Sequence, residues 1–170
     1  MHIDVNITMP RSYHGESTLS DAKFLVDQIR RTFNGDSWHG PSIMKTLEDV
    51  DFEQAKDKPL QGRHSIWEIV DHINFWMGEV SWAVENNRIY DSKSVMDWPL
   101  MGQSEEDWAA SIKRLEPSVN RLIGLLGVWR NEDLDRRLEG ATYSYRQMLN
   151  GVIDHNVYHA GQIAILKQKK

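Results

Sequence analysis

Apolar residues recur every three or four positions along four stretches of the chain, which is the spacing of one face of an α-helix. These stretches cover roughly residues 19–34, 64–86, 104–127 and 145–167. In the first of them the apolar positions are Leu19, Ala22, Val26, Ile29 and Phe33. The segment ATYSY is the one short stretch that alternates like a strand. The pattern therefore predicts an all-α fold.

Capping residues and prolines predict where these helices begin or are interrupted. Ser104 stands before three acidic residues, which suit the first turn of a helix, and Ser144 with Gln147 forms a capping-box pattern. Pro41 marks the first turn of a short helix in the connector after the first long helix. Pro117 lies inside the third pattern and has no backbone N–H, so we expect a kink or a break there. Four helices of this length suit a four-helix bundle.

Length and composition indicate one globular domain covering residues 1–170. The chain is 40% hydrophobic and 26% charged, which is ordinary for a soluble protein. No apolar run is long enough to cross a membrane, and the opening MHIDVNITMPRSYHGEST has neither the basic nor the apolar part of an export signal. We therefore expect a cytoplasmic protein that does not bind a membrane.

Charge and cysteine content limit the partners and the metal ligands that we expect. The net charge is −5 and the basic residues are scattered, whereas a nucleic-acid-binding protein normally carries a basic surface. We therefore expect no nucleic-acid partner. The chain has no cysteine, so it can form neither a disulfide nor a thiolate zinc site. Any metal ion would be bound by His, Asp or Glu.

Two histidines occupy the buried face of the fourth predicted helix. In GVIDHNVYHAGQIAIL, His155 and His159 are one turn apart and share a face with the apolar residues Val152 and Ile163. Imidazole is costly to bury unless its nitrogens find partners. Two imidazoles at this spacing can both bind one metal ion, as in the zinc motifs with histidines four residues apart.

A third histidine, His72, lies beside the apolar face of the second predicted helix. If that helix faces the fourth, the three imidazoles could form a metal site with open coordination positions for water or substrate. The alternative is three half-buried histidines whose nitrogens are satisfied by Glu68, Gln162 and backbone carbonyls. Helical spacing alone leaves both interpretations open.

The segment HSIWEIVDHINFW, followed far downstream by GVIDHNVYHAGQIAILK, resembles the DinB/YfiT-like superfamily. FNGDSWHGPSIMKTLEDV and the WP before the third helix strengthen the similarity, which runs from about Leu19 to Lys167. The resemblance implies an up-and-down four-helix bundle with a long crossover. It also implies a divalent metal ion, zinc or nickel, bound by His72, His155 and His159.

Members of this superfamily include thiol-dependent transferases that use bacillithiol, mycothiol or glutathione, an isomerase of maleylpyruvate, and proteins that look like hydrolases. The resemblance thus implies a small-molecule substrate, with a low-molecular-weight thiol as the candidate cosubstrate, and a homodimer as one candidate assembly. The alternative function is a non-catalytic metal-binding stress or binding protein, in which the ion ties the second and fourth helices together. A closed fourth coordination position would favour the alternative.

Other residues near the predicted site have competing interpretations. Glu68 could accept a hydrogen bond from a ligand imidazole, accept a proton from bound water, or be solvated. Trp76 is the best candidate among the tryptophans for lining a pocket, and Gly151 leaves space either for substrate or for close helix packing. His39 is interpreted as structural or substrate-lining, and His64 as exposed near the start of the second helix.

Overall fold

Seven helices account for most of the part of the chain that the computed structural model describes, residues 20–89 and 96–167. They are α1 (Asp21–Asn34), α2 (Ile43–Leu47), α3 (Phe52–Lys56), α4 (Ile66–Asn86), α5 (Glu105–Leu126), α6 (Asn131–Leu134) and α7 (Tyr145–Lys167). Within these two ranges there are isolated bridges but no strand, and one bridge joins Arg137 to Ser144. The predicted all-α fold is confirmed.

The four long helices α1, α4, α5 and α7 surround one hydrophobic core. α4 packs against α5 and α7, and α1 packs against the same two helices, an arrangement consistent with a four-helix bundle. The core takes fully buried side chains from all four, among them Ile29, Ile73, Leu122 and Leu149. Leu19, the first apolar position of the predicted pattern, lies outside the described residues. Within those residues no helix has both the length and the apolar character needed to cross a bilayer.

Capping side chains set where the two site-bearing helices begin. α4 begins at Ile66 because Ser65 caps it: the Ser65 hydroxyl accepts from the Glu68 amide at 3.1 Å, and the Glu68 carboxylate accepts from the Ser65 amide at 2.8 Å. At the start of α7 the side chain of Gln147 accepts from the Ser144 amide at 2.9 Å, as the sequence pattern predicts.

The structure excludes a break at Pro117 and a start of the short helix at Pro41. α5 continues through Pro117 without a break. Pro117 and Lys113 are both exposed, so the Lys113 carbonyl that loses its partner lies on the solvent side and the helix can continue. Pro41 does not begin α2; the cap is Ser42, whose hydroxyl accepts from the Lys45 amide at 3.4 Å.

The C-terminal end of α7 is fastened to the short helices. The Gln54 side-chain amide donates to the Lys167 carbonyl at 2.8 Å, and the Lys167 ammonium donates to the carbonyl of Thr46 at 3.2 Å. At the other end, the guanidinium of Arg146 lies 2.9 Å from the carboxylates of both Asp21 and Asp135. These contacts fix the position of α7 against its neighbours.

Candidate metal centre

Three imidazoles converge where α4 faces α7. His72 lies in α4, and His155 and His159 lie one turn apart in α7. The Nε2 atom of His155 is 3.1 Å from Nε2 of His72 and 3.1 Å from Nε2 of His159. Two nitrogens that share a zinc ion, each at about 2.0–2.1 Å, are separated by roughly 3.0–3.4 Å. The spacing of the three histidines therefore allows them to hold one metal ion.

Hydrogen bonds on the far side of two rings fix which nitrogen carries the proton. The Nδ1–H of His72 donates to the backbone carbonyl of Asp97 at 2.5 Å, and the Nδ1–H of His159 donates to Oε1 of Gln162 at 2.7 Å. Both partners are oxygens that can only accept, so Nδ1 is the protonated atom in each neutral ring. The Nε2 atoms of His72 and His159 therefore turn lone pairs towards His155.

His155 cannot satisfy both of these lone pairs with one proton. If its Nε2 carried a proton, that proton could bridge to His72 or to His159 but not to both. Its Nδ1 is buried without a hydrogen bond, and so is Oδ1 of Asn156, the next residue in the chain. A cation among the three Nε2 atoms would accept the Nε2 lone pair of all three rings at once. The donor set thus fits a divalent metal ion.

The surroundings keep the three imidazoles neutral. Burial lowers the pKa of His72 and of His155, and the neighbouring His72 lowers that of His155 further. Burial, with His155 nearby, lowers the pKa of His159 to about 4. A neutral imidazole is the form that binds a metal ion, so the three histidines are ready to act as ligands at neutral pH.

A tryptophan from the segment before α5 covers the histidines. The ring of Trp98 stacks on His72, with centroids 3.9 Å apart, and also on His64, with centroids 3.4 Å apart. The preceding residue, Asp97, supplies the carbonyl that orients His72. The WP pair that supports the family resemblance contains Trp98, but nothing in the sequence assigns Trp98 or Asp97 to the site, because neither lies on a helical face with a repeating pattern.

Glu68 makes its hydrogen bonds away from the three histidines. Its carboxylate accepts from the Ser65 amide at 2.8 Å and from the Lys58 ammonium at 2.8 Å, and it lies 3.6 Å from Nδ1 of His64. Burial opposes ionisation of Glu68, but the bonds from Lys58 and Ser65 outweigh it and lower its pKa. The acceptors for His72 and His159 are instead Asp97 and Gln162.

Four sequence-predicted residues remain, and they lie in three different places. Trp76 and Gly151 line a cavity together with His155, and an added Cβ at Gly151 would meet no atom within 4 Å. Gly151 therefore leaves open space rather than allowing close helix packing. His64 is half exposed yet stacks on Trp98, so it belongs to the edge of the site. His39 is exposed in the turn after α1, outside the group of three.

Two cavities reach the histidines. One, of about 450 Å³, is bounded by His155, and the other, of about 440 Å³, is bounded by His159 and Trp98. A larger cavity of about 860 Å³ lies near Phe52 and Met101, but none of the three histidines lines it. Size alone would thus select the wrong place. The histidine group is the better functional candidate because its polar atoms converge there.

The chain belongs to the DinB superfamily. The model of that family matches residues 38–163, which include all three histidines and the whole of α4 and α5. No curated protein and no solved structure matches the chain significantly. The match to the family model confirms the family predicted from the sequence.

Proposed function

We propose that this member of the DinB superfamily is a metal-dependent enzyme, in which His72, His155 and His159 bind a divalent ion through their Nε2 atoms. The observation that carries the proposal is the 3.1 Å spacing of Nε2 of His155 from both other Nε2 atoms, with acceptors bound to Nδ1 of His72 and His159. Zinc and nickel are the proposed ions, since both accept imidazole ligands.

The protein residues would hold the ligands in one orientation before the ion binds. The Asp97 carbonyl and the Gln162 side chain keep His72 and His159 in the tautomer whose Nε2 is free. Stacking of Trp98 on His72 restricts rotation of that ring and shields one side of it from water. Little side-chain ordering therefore remains to oppose metal binding.

A divalent ion in this position supplies Lewis acidity, which activates either water for hydrolysis or the thiol of a small cosubstrate for transfer to an electrophile. The chain has no cysteine, so the thiol nucleophile of a transferase would have to be a separate molecule. We propose thiol-dependent transfer or hydrolysis of a small molecule, with the two cavities beside His155 and His159 giving access.

A catalytic role is favoured over an ion that only ties α4 to α7. Structural zinc usually has four protein ligands, whereas catalytic zinc keeps a position open. Among the described residues, the group of convergent ligands contains three histidines and no fourth His, Asp or Glu. The cavities that reach two of these histidines also suit exchange of small molecules.

The first test is loading and catalysis with each metal. The purified chain is stripped with a chelator, loaded separately with zinc or nickel, and assayed with glutathione or bacillithiol and 1-chloro-2,4-dinitrobenzene. In this reaction the thiol sulfur forms a bond to the ring carbon that carries chlorine, chloride leaves as the anion, and the thiol proton is released to the buffer. A p-nitrophenyl ester without thiol tests hydrolysis in parallel. We expect one of the two reactions to depend on the metal.

His72→Ala is the control for background chemistry, since it removes one ligand and should remove the metal-dependent rate. A chain that binds metal tightly and gains stability from it, but accelerates neither reaction with either ion, would contradict the enzyme and favour the structural tie. A chain that binds neither ion would contradict both.

A further inference from the structure

The cavity lined by His155 differs in character from the polar group of three histidines. It has a volume of about 450 Å³, and its walls include the apolar side chains of Trp76, Val80, Met148 and Val152. No Asp, Glu, Lys or Arg is among the described residues that line it. This volume lies within the range of small-molecule pockets, roughly 300–1,000 Å³.

The few polar groups of this cavity are uncharged. They belong to Gln147, Tyr143 and His155, which line it. The Gln147 oxygen is already used in capping α7, where it accepts from the Ser144 amide at 2.9 Å. A charged ligand would lose its hydration here without gaining a partner of opposite charge. An apolar ligand would gain from leaving water.

The apolar cavity and the metal-ligand group share His155. The Trp76 ring meets His155 edge-on with centroids 6.3 Å apart, and it meets His72 in the same way at 6.2 Å. Trp76 therefore forms a wall that continues from the cavity to the histidines. A ligand that fills the cavity therefore lies against His155.

Gly151 keeps this space open. It lies one turn before His155 on α7 and lines the cavity, and a Cβ added there would meet no atom within 4 Å. Because Gly151 lines the cavity and an added Cβ there meets open space, we expect a larger side chain at position 151 to reduce the space for a ligand.

We propose that this cavity binds the uncharged apolar part of the substrate, an aromatic or branched aliphatic group, and thereby presents the reactive end of the substrate beside His155. This inference rests on the proposed metal-dependent function, because it assigns the substrate class of that same site. It predicts a preference for neutral apolar substrates over charged ones of the same shape.

The test uses two fluorescent probes that differ by one sulfonate, N-phenyl-1-naphthylamine and 8-anilinonaphthalene-1-sulfonate. Each is titrated into the zinc-loaded chain, and into the Gly151→Ala, Gly151→Leu and Gly161→Leu variants. Gly161 is the matched control: it also lies in α7 with no atom within 4 Å of an added Cβ, but it does not line this cavity. Metal content and circular dichroism are measured on every sample.

We expect the neutral probe to bind the native chain at least tenfold more tightly than the sulfonate. Gly151→Leu should weaken binding of the neutral probe at least tenfold, Gly151→Ala by a smaller factor, and Gly161→Leu by less than twofold. All variants should retain zinc. If Gly151→Leu fails to fold, Gly151→Ala still carries the comparison, since alanine is a better helix former than glycine.

The outcomes separate this inference from the proposed function. Unchanged binding of the neutral probe in both Gly151 variants, or equal binding of the two probes, would overturn the apolar cavity while leaving metal binding intact. Loss of probe binding in Gly161→Leu as well would also overturn it. Absence of zinc from the native chain, with the expected probe pattern, would instead overturn the proposed function.

Discussion

The indole of Trp98 lies parallel to the imidazole of His72, with ring centroids 3.9 Å apart and planes inclined by 9°. The neighbouring Asp97 carbonyl accepts the Nδ1–H of the same imidazole at 2.5 Å. Two consecutive residues from outside the long helices thus fix the orientation of one proposed ligand. The segment before α5 is therefore a part of the site and not merely a connection between helices.

Replacement of Trp98 tests this role. Trp98→Ala removes the stacking partner of His72, and we expect the affinity for zinc to fall roughly tenfold, the size of effect seen for residues that orient metal ligands. Trp98→Phe keeps an aromatic face and should restore most of the affinity. Trp38 is 94% exposed, so Trp38→Ala is the control and should change nothing. Competition with a chromophoric chelator measures the affinities; equal values for Trp98→Ala and Trp38→Ala would refute the role.

Gln162 is predicted to act through His159. Gln162→Leu removes the acceptor for Nδ1–H of His159 and should weaken metal binding by roughly 10- to 100-fold. Gln162→Glu retains an acceptor at the same distance from the backbone and should bind at least as well as the native chain. The same competition assay provides the measurement. A Gln162→Leu variant with native affinity would show that the hydrogen bond does not matter for the ligand.

The helical architecture could be predicted because its signals are local. The spacing of apolar residues located the four long helices, and the patterns at Ser104 and at Ser144 with Gln147 located the starts of the third and the fourth. The effect of Pro117 on α5 was harder to predict. It depends on whether the carbonyl that the proline leaves unpaired faces water, and that depends on how α5 packs.

The histidine group was predictable for the same reason, whereas its surroundings were not. His155 and His159 share a face by helical geometry, and Gln162 follows His159 by three residues on that face. Asp97 and Trp98 belong to a connecting segment without periodicity, so only the tertiary structure brings them to His72. Glu68 was placed near His72 by spacing alone, but Lys58 and the cap of α4 bind its carboxylate.

The pH dependence of stability follows from the lowered histidine pKa values. Burial lowers the pKa of His159 to about 4 in the metal-free fold, whereas an unfolded histidine has a value of about 6.5. Between these values the unfolded chain binds more protons than the folded one, so the free energy of unfolding should fall as pH is lowered through this window. Urea denaturation of the apoprotein at pH 7.5 and pH 5 measures the difference.

His159→Gln supplies the comparison for that experiment, because it removes the titrating group while other ionisable groups stay the same. The loss of stability between pH 7.5 and pH 5 should be smaller in this variant than in the native apoprotein. Equal losses in the two proteins would contradict the assignment of a depressed pKa to His159.

Stability also depends on a hydrogen bond between α4 and α5 that is remote from the histidines. The indole N–H of Trp67 donates to the hydroxyl of Ser111 at 2.9 Å, and both residues are buried. Ser111→Ala leaves the indole N–H without an acceptor and should lower the free energy of unfolding by about 1–3 kcal/mol. Lys113→Ala, in the same helix and exposed, should cost no more than about 0.5 kcal/mol. Similar losses in the two variants would contradict the account.

The central claim is that three particular histidines bind one metal ion, and metal stoichiometry across matched variants tests it most directly. The native chain, His72→Ala, His155→Ala, His159→Ala, His39→Ala and His64→Ala are equilibrated with zinc at equal concentration, desalted and measured by elemental analysis. We predict about one ion per chain in the native protein and in His39→Ala, and strong loss of metal in each variant of the three convergent histidines. His64→Ala should retain the ion, since His64 contacts Trp98 but is not in the convergent group. Full occupancy in His72→Ala, or an empty site in His39→Ala, would contradict the claim.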